Sequence, residues 1–244
     1  MIEENRIYLG DCMHFLKDFP DKSVDFVLTD PPYGIHMDQW AGRSNKKQLA
    51  HPKKTRYAGH WDDNTPNKCI FDELLRIGKL VFIFGGQYFT DKLPKSSCWI
   101  VWDKTGAQPT KTDFSDCELI WTNQFTKKAT KKYYIKQLGF INTGDERLHP
   151  TQKPLLLITK ILQDNTKPGD LILDCFSGSG TICVAAKELG LRFIGIELDP
   201  VFHKLSIQRL NGIMANGQTS IFTDFDALAS VDTVHEDEKI GGNE

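Results

Sequence analysis

The sequence predicts an α/β fold built on a doubly wound, mostly parallel sheet. Short apolar segments of strand length recur along the chain, and helical segments lie between several of them. Many of these segments are continuously apolar instead of alternating with polar residues. A strand that helices cover on both faces needs apolar side chains on both faces. Such runs are therefore typical of a parallel sheet between two helical layers.

Seven strands and two helices follow from this pattern. The predicted strands are residues 6–10, 24–30, 80–85, 98–103, 117–123, 170–176 and 192–198. One helix is predicted over residues 153–165, with Pro154 in its first turn, and another within residues 180–190, ending at Gly190. The segment 35–67 has no clear periodicity, which predicts a long loop of the kind that usually serves a function.

Length and composition fit a cytoplasmic protein with one large domain or two small ones. The chain has 244 residues, 40% of them hydrophobic and 25% charged. Its longest apolar runs, residues 80–84 and 98–102, are too short to cross a membrane, and its acidic N-terminus does not resemble a signal peptide. The six cysteines form no C-x-x-C pair and lie mostly in apolar runs. They predict reduced, buried thiols and no metal site.

The distribution of charge is more informative than the net charge of −2. Residues 41–60 carry six lysines and arginines without an acid, and residues 122–136 carry five lysines without an acid. Patches of one sign suit a polyanionic partner, although a solvated lysine-rich face is the alternative. The candidate residues for contact with a polyanion are Arg43, Lys46, Lys47, Lys53, Lys54, Arg56, Lys127, Lys128, Lys131 and Lys132. Residues 222–244 form an acidic tail.

A glycine loop in the second half of the chain predicts a nucleoside site. One predicted strand ends near Asp174, Gly178 and Gly180 make the turn into a helix, and the next strand ends near Glu197. Glycines let the backbone turn sharply and leave room for a ligand. A carboxylate at the tip of the neighbouring strand can accept hydrogen bonds from both ribose hydroxyls. Strand, glycine turn, helix, strand and acid in this order indicate a bound nucleoside.

The residues around this loop favour S-adenosylmethionine over a dinucleotide. Dinucleotide sites usually have a third glycine at the position that Cys183 occupies here. Asp174 would repel a pyrophosphate but would attract a ligand that carries an ammonium group. S-adenosylmethionine has ribose hydroxyls, a cationic amino-acid tail and no phosphate. A dehydrogenase is therefore the least favoured function.

Several motifs together resemble those of the DNA amino-methyltransferases. The sequence DPPYG at 30–34 follows a predicted strand, and DCFSGSGT at 174–181 and IELD at 196–199 follow far downstream. HPTQKP at 149–154 is a further match. The order, with the catalytic motif first, resembles the beta, or circularly permuted, group of this family. The resemblance extends from about residue 9 to residue 210.

The resemblance implies a Rossmann-like, class I S-adenosylmethionine-dependent methyltransferase in one catalytic domain, residues 1–213. Its catalytic half would span about 1–121, a short target-recognition insert about 122–148, and the cofactor half about 149–213, before a C-terminal extension over 214–244. It also implies a bacterial or phage-encoded, nucleoid-associated protein that acts on double-stranded DNA. Because the insert is short, a homodimer could complete the DNA contacts, and a cognate restriction endonuclease is a further expected partner.

The resemblance also assigns a role to the opening motif. The lone pair of the exocyclic amine of adenine is delocalised into the ring, so the nitrogen must become more tetrahedral before it attacks a methyl group. The Asp30 carboxylate and, by resemblance, the Pro31 carbonyl would accept its two N–H bonds, with no metal ion. Pro31 and Pro32 fix φ and so the direction of that carbonyl. Tyr33 would stack on the base, which must be flipped out of the duplex to reach the site.

Further cofactor contacts are implied by matching positions in the family. Asp11 and Cys12 would lie near the adenine of the cofactor, and Lys153 near its methionine end. The complete predicted cofactor set is Asp11, Cys12, Lys153, Asp174, Phe176, Gly178, Ser179, Gly180, Glu197 and Leu198.

Three alternatives stay open at this point. Relatives that methylate cytosine N4 usually carry Ser in place of the acid, so Asp30 favours adenine N6. Relatives that methylate an amide or an RNA base typically begin the motif with Asn. A DNA-binding protein that has lost activity would share the fold, but intact Asp30, Tyr33, glycine loop and Glu197 argue against it.

Overall fold

The computed structural model describes residues 2–36, 62–104, 115–124, 130–134 and 152–212. The strands are β1 (Arg6–Leu9), β2 (Val24–Thr29), β3 (Gly78–Phe84), β4 (Trp99–Asp103), β5 (Cys117–Thr122), β6 (Thr130–Tyr134), β7 (Leu171–Asp174) and β8 (Arg192–Glu197). The helices are α1 (Cys12–Leu16), α2 (Lys68–Ile77), α3 (Leu155–Asn165), α4 (Thr181–Glu188) and α5 (Pro200–Leu210). A 3-10 turn, Gly86–Phe89, follows β3.

Within the described residues, eight strands form one sheet in the order β1-β8-β7-β2-β3-β5-β4-β6. β5 is antiparallel to β3 and to β4, and the other neighbouring strands are parallel. The predicted doubly wound, mostly parallel α/β fold is confirmed. All seven predicted strands are present.

The two faces of the sheet bury separate apolar layers. Phe26 and Leu28 of β2 pack in one layer, which also contains apolar residues of α3, α4 and α5. Val27 packs in the other, with residues of α1 and α2. Helices on both faces explain why these strands are apolar throughout.

The middle of the sheet contains the point at which the winding reverses. From β7 the chain passes through α4 to β8, and from β2 it passes through α2 to β3 on the other side. β2 and β7 are parallel neighbours, with Val27 beside Leu173. This point is called the topological switch point. In open α/β sheets, ligands bind there, beyond the carboxyl ends of the strands. The ends of β2 and β7 are where the DPPYG motif and the glycine loop begin.

Four elements were not predicted from the sequence. Helix α1 has only five residues, too few for a periodic pattern. Helices α2 and α5 are amphipathic or mixed in composition, and their buried faces become clear only against the sheet. Strand β6 lies in the predicted recognition insert and pairs in parallel with β4 at the edge of the sheet. Its sequence, TKKYY, is too polar to predict a strand.

Candidate active site

The DPPYG motif begins where β2 ends, and a buried carboxylate fixes the backbone of the loop. The N–H groups of Tyr33 and Gly34 both donate to Oδ1 of Asp62, at 2.7 and 2.9 Å. Pro31 is buried, and Pro32 is partly buried. Asp62 lies in a polar stretch without a motif, so sequence reasoning missed it. Its two hydrogen bonds give the loop a defined direction as it leaves the sheet.

Tyr33 lies between the Asp30 carboxylate and a second tyrosine. Its hydroxyl donates to Oδ1 of Asp30 at 2.6 Å. Its ring stacks on Tyr88 of the 3-10 turn, with centroids 5.0 Å apart and an interplanar angle of 20°. Gly85 makes this packing possible, because a Cβ there would approach the Tyr33 ring to 2.2 Å. Tyr33 thus belongs to an aromatic wall beside Asp30, and its stacking on a target base stays a prediction.

Asp30 is one end of a chain of four alternating charges, here called the charge chain. Lys153 donates from Nζ to Oδ2 of Asp30 at 2.6 Å, and the same Nζ lies 3.2 Å from Oε2 of Glu118 in β5. The other carboxylate oxygen of Glu118 pairs with Nζ of Lys104 at 2.7 Å. The sequence predicted Lys153 as a cofactor contact, but the structure places its ammonium against two carboxylates. Sequence reasoning missed Glu118 and Lys104.

Burial and pairing act in opposite directions on the pKa values of this chain. Burial raises the pKa of Asp30 above its ordinary value, and the nearby Lys153 only partly offsets the effect. Burial alone would lower the pKa of Lys153, but Asp30 and Glu118 raise it, so the ammonium stays charged. Burial alone would raise the pKa of Glu118, but Lys153 and Lys104 lower it. The site therefore pairs two lysines with two carboxylates, and Asp30 is the more weakly ionised acid.

The glycine loop begins with a second buried acid. Asp174, 2% exposed, ends β7, and its Oδ1 accepts hydrogen bonds from Thr29 Oγ1 at 2.8 Å and from the Phe176 N–H at 3.2 Å. Burial raises the pKa of Asp174 to about 7, although both hydrogen bonds lower it. Asp30 and Glu197 also raise this pKa. A bound cation would therefore favour ionisation of Asp174.

Glu197 closes the other side of the loop. Its Oε2 accepts from the Gly178 N–H at 2.6 Å, and its Oε1 from the Asp199 N–H at 2.8 Å. The Leu198 N–H is a further backbone donor to this carboxylate. A carboxylate has about four acceptor directions, so it can still accept a hydrogen bond from a ribose hydroxyl. Gly178 has φ of +50°, and a Cβ there would meet no atom within 4 Å, so the space above the loop is open.

The remaining loop residues brace the turn. Ser179 is buried, and its hydroxyl donates to Gln152 at 3.2 Å. Arg209 of α5 donates to the Ser179 carbonyl at 2.8 Å and to the Thr181 hydroxyl at 2.9 Å. A Cβ on Gly180 would come within 2.8 Å of Ser206 Cβ. Helix α5 therefore packs directly beneath the turn and holds its shape.

Two exposed leucines lie beside the ends of neighbouring strands. Leu198 follows β8 and is 70% exposed, and Leu9 ends β1 and is 49% exposed. Paired carboxylates, an open glycine turn and apolar side chains nearby fit the cationic tail, ribose and adenine of S-adenosylmethionine.

Asp11 caps α1 by accepting from the Met13 N–H at 2.9 Å, and burial together with Asp11 raises the pKa of Cys12 to about 12. The predicted contacts of Asp11 and Cys12 with the cofactor stay predictions.

Most predicted DNA-binding residues lie outside the described residues. These are Arg43, Lys46, Lys47, Lys53, Lys54, Arg56, Lys127 and Lys128. Lys131 and Lys132 lie on β6, at the edge strand of the sheet.

Over the described ranges, no helix is long and apolar enough to cross a membrane. In the same ranges, no cluster of three or more His, Cys, Asp or Glu residues could hold a metal ion.

Comparison with known families decides the broad identity of the site. The family model described as DNA methylase matches residues 87–208, half of the 244 residues. The chain belongs to the DNA methylase family. Members use S-adenosylmethionine, so the predicted methyl donor is confirmed, and the predicted amino-methyltransferase resemblance is confirmed with it. The family model covers methylation of both adenine N6 and cytosine N4.

Individual relatives agree with this assignment. The methylase is 29% identical over 247 aligned residues to the type II methyltransferase M2.MboI of Moraxella bovis, covering 85% of this chain and 88% of that protein. Among solved structures, the M1.HpyAVI–SAM complex matches with a TM-score of 0.53 at 23% identity, covering 84% of this chain and 98% of that one. The PvuII DNA methyltransferase (cytosine-N4-specific) matches with a TM-score of 0.54 at 15% identity, covering 92% and 90%. At these identities the two structures show the shared fold.

Proposed function

We propose that this DNA methyltransferase transfers a methyl group to the exocyclic N6 amine of an adenine flipped out of double-stranded DNA. The observation that carries the proposal is Asp30, a carboxylate at the end of β2 beside the glycine loop that begins at the end of β7. S-adenosylmethionine, when bound, supplies an electrophilic methyl carbon on a sulfonium. The residues of the chain then have to present the amine and keep water away.

The Asp30 carboxylate can accept a hydrogen bond from the amine even with its present partners. Tyr33 occupies one lone-pair direction of Oδ1, and Lys153 occupies one of Oδ2. A carboxylate has about four such directions, so two remain for a substrate N–H. With Asp30 on one N–H and the Pro31 carbonyl on the other, the nitrogen becomes more tetrahedral and its lone pair turns toward the methyl carbon. In methyl transfer the N6–C bond would form as the C–S bond of the cofactor breaks, and the surplus proton on N6 would pass to solvent.

Adenine N6 is preferred to cytosine N4 because the motif begins with Asp and not Ser. The proposal also assigns the aromatic wall of Tyr33 and Tyr88 to the flipped base, and the basic segments 41–60 and 122–136 to DNA phosphates. It includes a catalytic domain over residues 1–213, a C-terminal extension over 214–244, and action on DNA in the cytoplasm. A homodimer and a cognate restriction endonuclease are its expected partners.

Expression in a host that lacks DNA methylation tests the proposal. Its genome is then read by sequencing that distinguishes modified bases, with Asp30→Ala expressed at the same level as the control. N6-methyladenine in one sequence context, absent from the control, is the expected result. N4-methylcytosine would overturn the choice of base. An unmodified genome in the presence of soluble protein would overturn the function.

A further inference from the structure

The charge chain brings together residues that are far apart in sequence. Asp30 follows β2, Glu118 lies in β5, and Lys153 precedes α3. Nζ of Lys153 lies 2.6 Å from Asp30 Oδ2 and 3.2 Å from Glu118 Oε2. Lys153 is only 7% exposed. Removing a buried ammonium and two carboxylates from water costs free energy, which their mutual pairing has to offset.

Among the described residues, Lys153 also lies near two aromatic rings. Its Nζ lies 5.0 Å from the ring centroid of Phe84 and 5.6 Å from that of Tyr33. Aromatic faces attract a cation only weakly, so the two carboxylates decide where the ammonium sits. Glu118 is itself held by Lys104 at 2.7 Å, which keeps its carboxylate in place.

We propose that Glu118 is a positioning residue for Asp30 that acts by sharing the ammonium group of Lys153. The inference rests on the proposed function, because it assigns Asp30 to the substrate amine. Lys153 favours the ionised form of Asp30 and partly offsets the effect of burial. Because Glu118 also attracts the ammonium group, the pairing of Lys153 with Asp30 is weaker than it would otherwise be. The Asp30 carboxylate therefore stays a strong acceptor for the amine of the base.

The two partners therefore affect the Asp30 carboxylate in opposite directions. Loss of Lys153 would leave Asp30 beside Glu118 without a cation, and the pKa of Asp30 would rise further. Loss of the Glu118 charge would remove its repulsion of the Asp30 carboxylate and leave the Lys153 ammonium paired with Asp30 alone. The pKa of Asp30 would then fall. A neighbouring charge of this kind typically shifts a carboxyl pKa by about 1–3 units.

Neither substitution removes the other titratable groups near Asp30. Among the described residues they are Tyr33 of the same loop, Asp174 at the end of β7, and Lys104, which acts through Glu118. Burial and the nearby Asp30 and Glu118 raise the pKa of Tyr33, so its hydroxyl remains a donor.

The test compares Lys153→Met and Glu118→Gln with the wild-type protein. First, the pH dependence of kcat is measured on DNA containing the site found by sequencing. We expect the acidic limb to move up by about one pH unit or more in Lys153→Met and down by a similar amount in Glu118→Gln. A purely structural role would lower activity in both without moving the limb in opposite directions.

A second measurement does not depend on activity. The carboxyl group of Asp30 is titrated by NMR in protein carrying 13C-labelled aspartate, and its signal is assigned by its absence in Asp30→Asn. The Asp30 titration should rise in Lys153→Met and fall in Glu118→Gln. If the wild-type protein methylates no DNA, the proposed function fails, while this titration still decides the coupling among the three residues.

Lys160→Met is the matched control, because Lys160 forms a 2.9 Å ion pair with Asp164 on the neighbouring helix α3. It should leave both the acidic limb and the Asp30 titration unchanged. Thermal denaturation shows which variants fold. If Lys153→Met does not fold, Glu118→Gln, which keeps the size of the side chain, decides alone. An Asp30 titration that is unchanged or higher in Glu118→Gln would overturn the inference.

Discussion

The hydroxyl of Thr29 donates a 2.8 Å hydrogen bond to Oδ1 of Asp174, and both side chains are buried. Thr29 is the last residue of β2, and Asp174 is the last residue of β7. The bond joins the residue before the DPPYG motif to the first acid of the glycine loop, 145 positions later in the sequence. The proposed acceptor site and the predicted cofactor site are thus connected at the switch point of the sheet.

Removing this bond should weaken cofactor binding as well as stability. Thr29→Val keeps the shape of the side chain but leaves a buried carboxylate with one donor fewer, at a cost of about 1–3 kcal/mol in the free energy of unfolding. The pKa of Asp174 should rise further, so less of it is ionised at pH 7 and the affinity for S-adenosylmethionine should fall. Chemical denaturation and titration calorimetry measure the two effects.

Thr122→Val is the matched control. Thr122 is equally buried in β5, and its hydroxyl donates to the Cys98 carbonyl at 2.9 Å. We expect a comparable loss of stability without a change in cofactor affinity. Equal cofactor affinity in Thr29→Val and the wild-type protein would contradict the coupling through Asp174.

The pKa of about 7 at Asp174 predicts a pH-dependent affinity for the cofactor. Below pH 7 the carboxyl is mostly protonated and cannot pair with the ammonium of S-adenosylmethionine. Affinity should therefore increase as pH rises from 6 to 8, by up to about tenfold per pH unit below the pKa. Calorimetry at pH 6, 7 and 8 measures this affinity. Asp174→Asn should bind S-adenosylmethionine weakly at all three pH values. A pH-independent affinity in the wild-type protein would exclude an ionised Asp174 as the partner of the ammonium.

The same group has the opposite effect on folding. Because its folded-state pKa is raised from 3.8 to about 7, the folded protein holds a proton that the unfolded chain releases. The contribution of Asp174 to stability is complete below about pH 4 and is lost as pH rises to about 7. Asp174→Asn should lack this decline. The pH profile of the unfolding free energy, compared between variant and wild type, isolates it.

Tyr88 should contribute to binding of the flipped base through the aromatic wall. Tyr88 is 41% exposed and stacks on Tyr33. Tyr88→Ala removes this ring and should weaken binding of target DNA by about 1–3 kcal/mol, the usual effect of losing one base-stacking aromatic. Tyr88→Phe keeps the ring and should bind normally. Binding is measured on an oligonucleotide with 2-aminopurine at the target position, and an unaffected Tyr88→Ala would remove Tyr88 from the base site.

The lysines of the predicted recognition insert should supply non-specific affinity for phosphate. Changing Lys127, Lys128, Lys131 and Lys132 to Gln should weaken binding to all duplexes alike. The slope of log affinity against log salt concentration should become shallower by about 0.9 for each phosphate that the variant no longer neutralises. Lys160→Gln on α3 provides the control. If the salt slope is unchanged in the variant with all four substitutions, these lysines belong to a solvated face and do not contact DNA phosphates.

Local patterns predicted the sheet well. Each predicted strand agrees with the observed one to within two residues at either end. The predicted strands run too far at residues such as Asp30 and Phe176, where strand-like sequence continues into the turns that follow β2 and β7. The short helix α1 and the polar strand β6 are stabilised by neighbours in the fold, which single-sequence periodicity does not report.

The candidate site was only partly predictable. Asp30, Asp174 and Glu197 lie in recognisable motifs, so the sequence singled them out as candidates, and the structure places them at the ends of β2, β7 and β8. Glu118 lies in an apolar strand, CELIWT, and its role depends on a lysine 35 positions later in the chain. Tyr88 and Asp62 likewise reach the motif only through the fold. No local pattern records these contacts.

The most direct test of the central claim is the identity of the modified nucleoside. Purified wild-type protein and Asp30→Ala are incubated with S-adenosylmethionine and unmethylated duplex DNA containing the recognition site, and the digested nucleosides are measured by mass spectrometry. We predict N6-methyladenine from the wild-type protein and a rate at least about 100-fold lower from Asp30→Ala, with unchanged cofactor affinity. N4-methylcytosine as the product, or methylation by Asp30→Ala at the wild-type rate, would contradict the account.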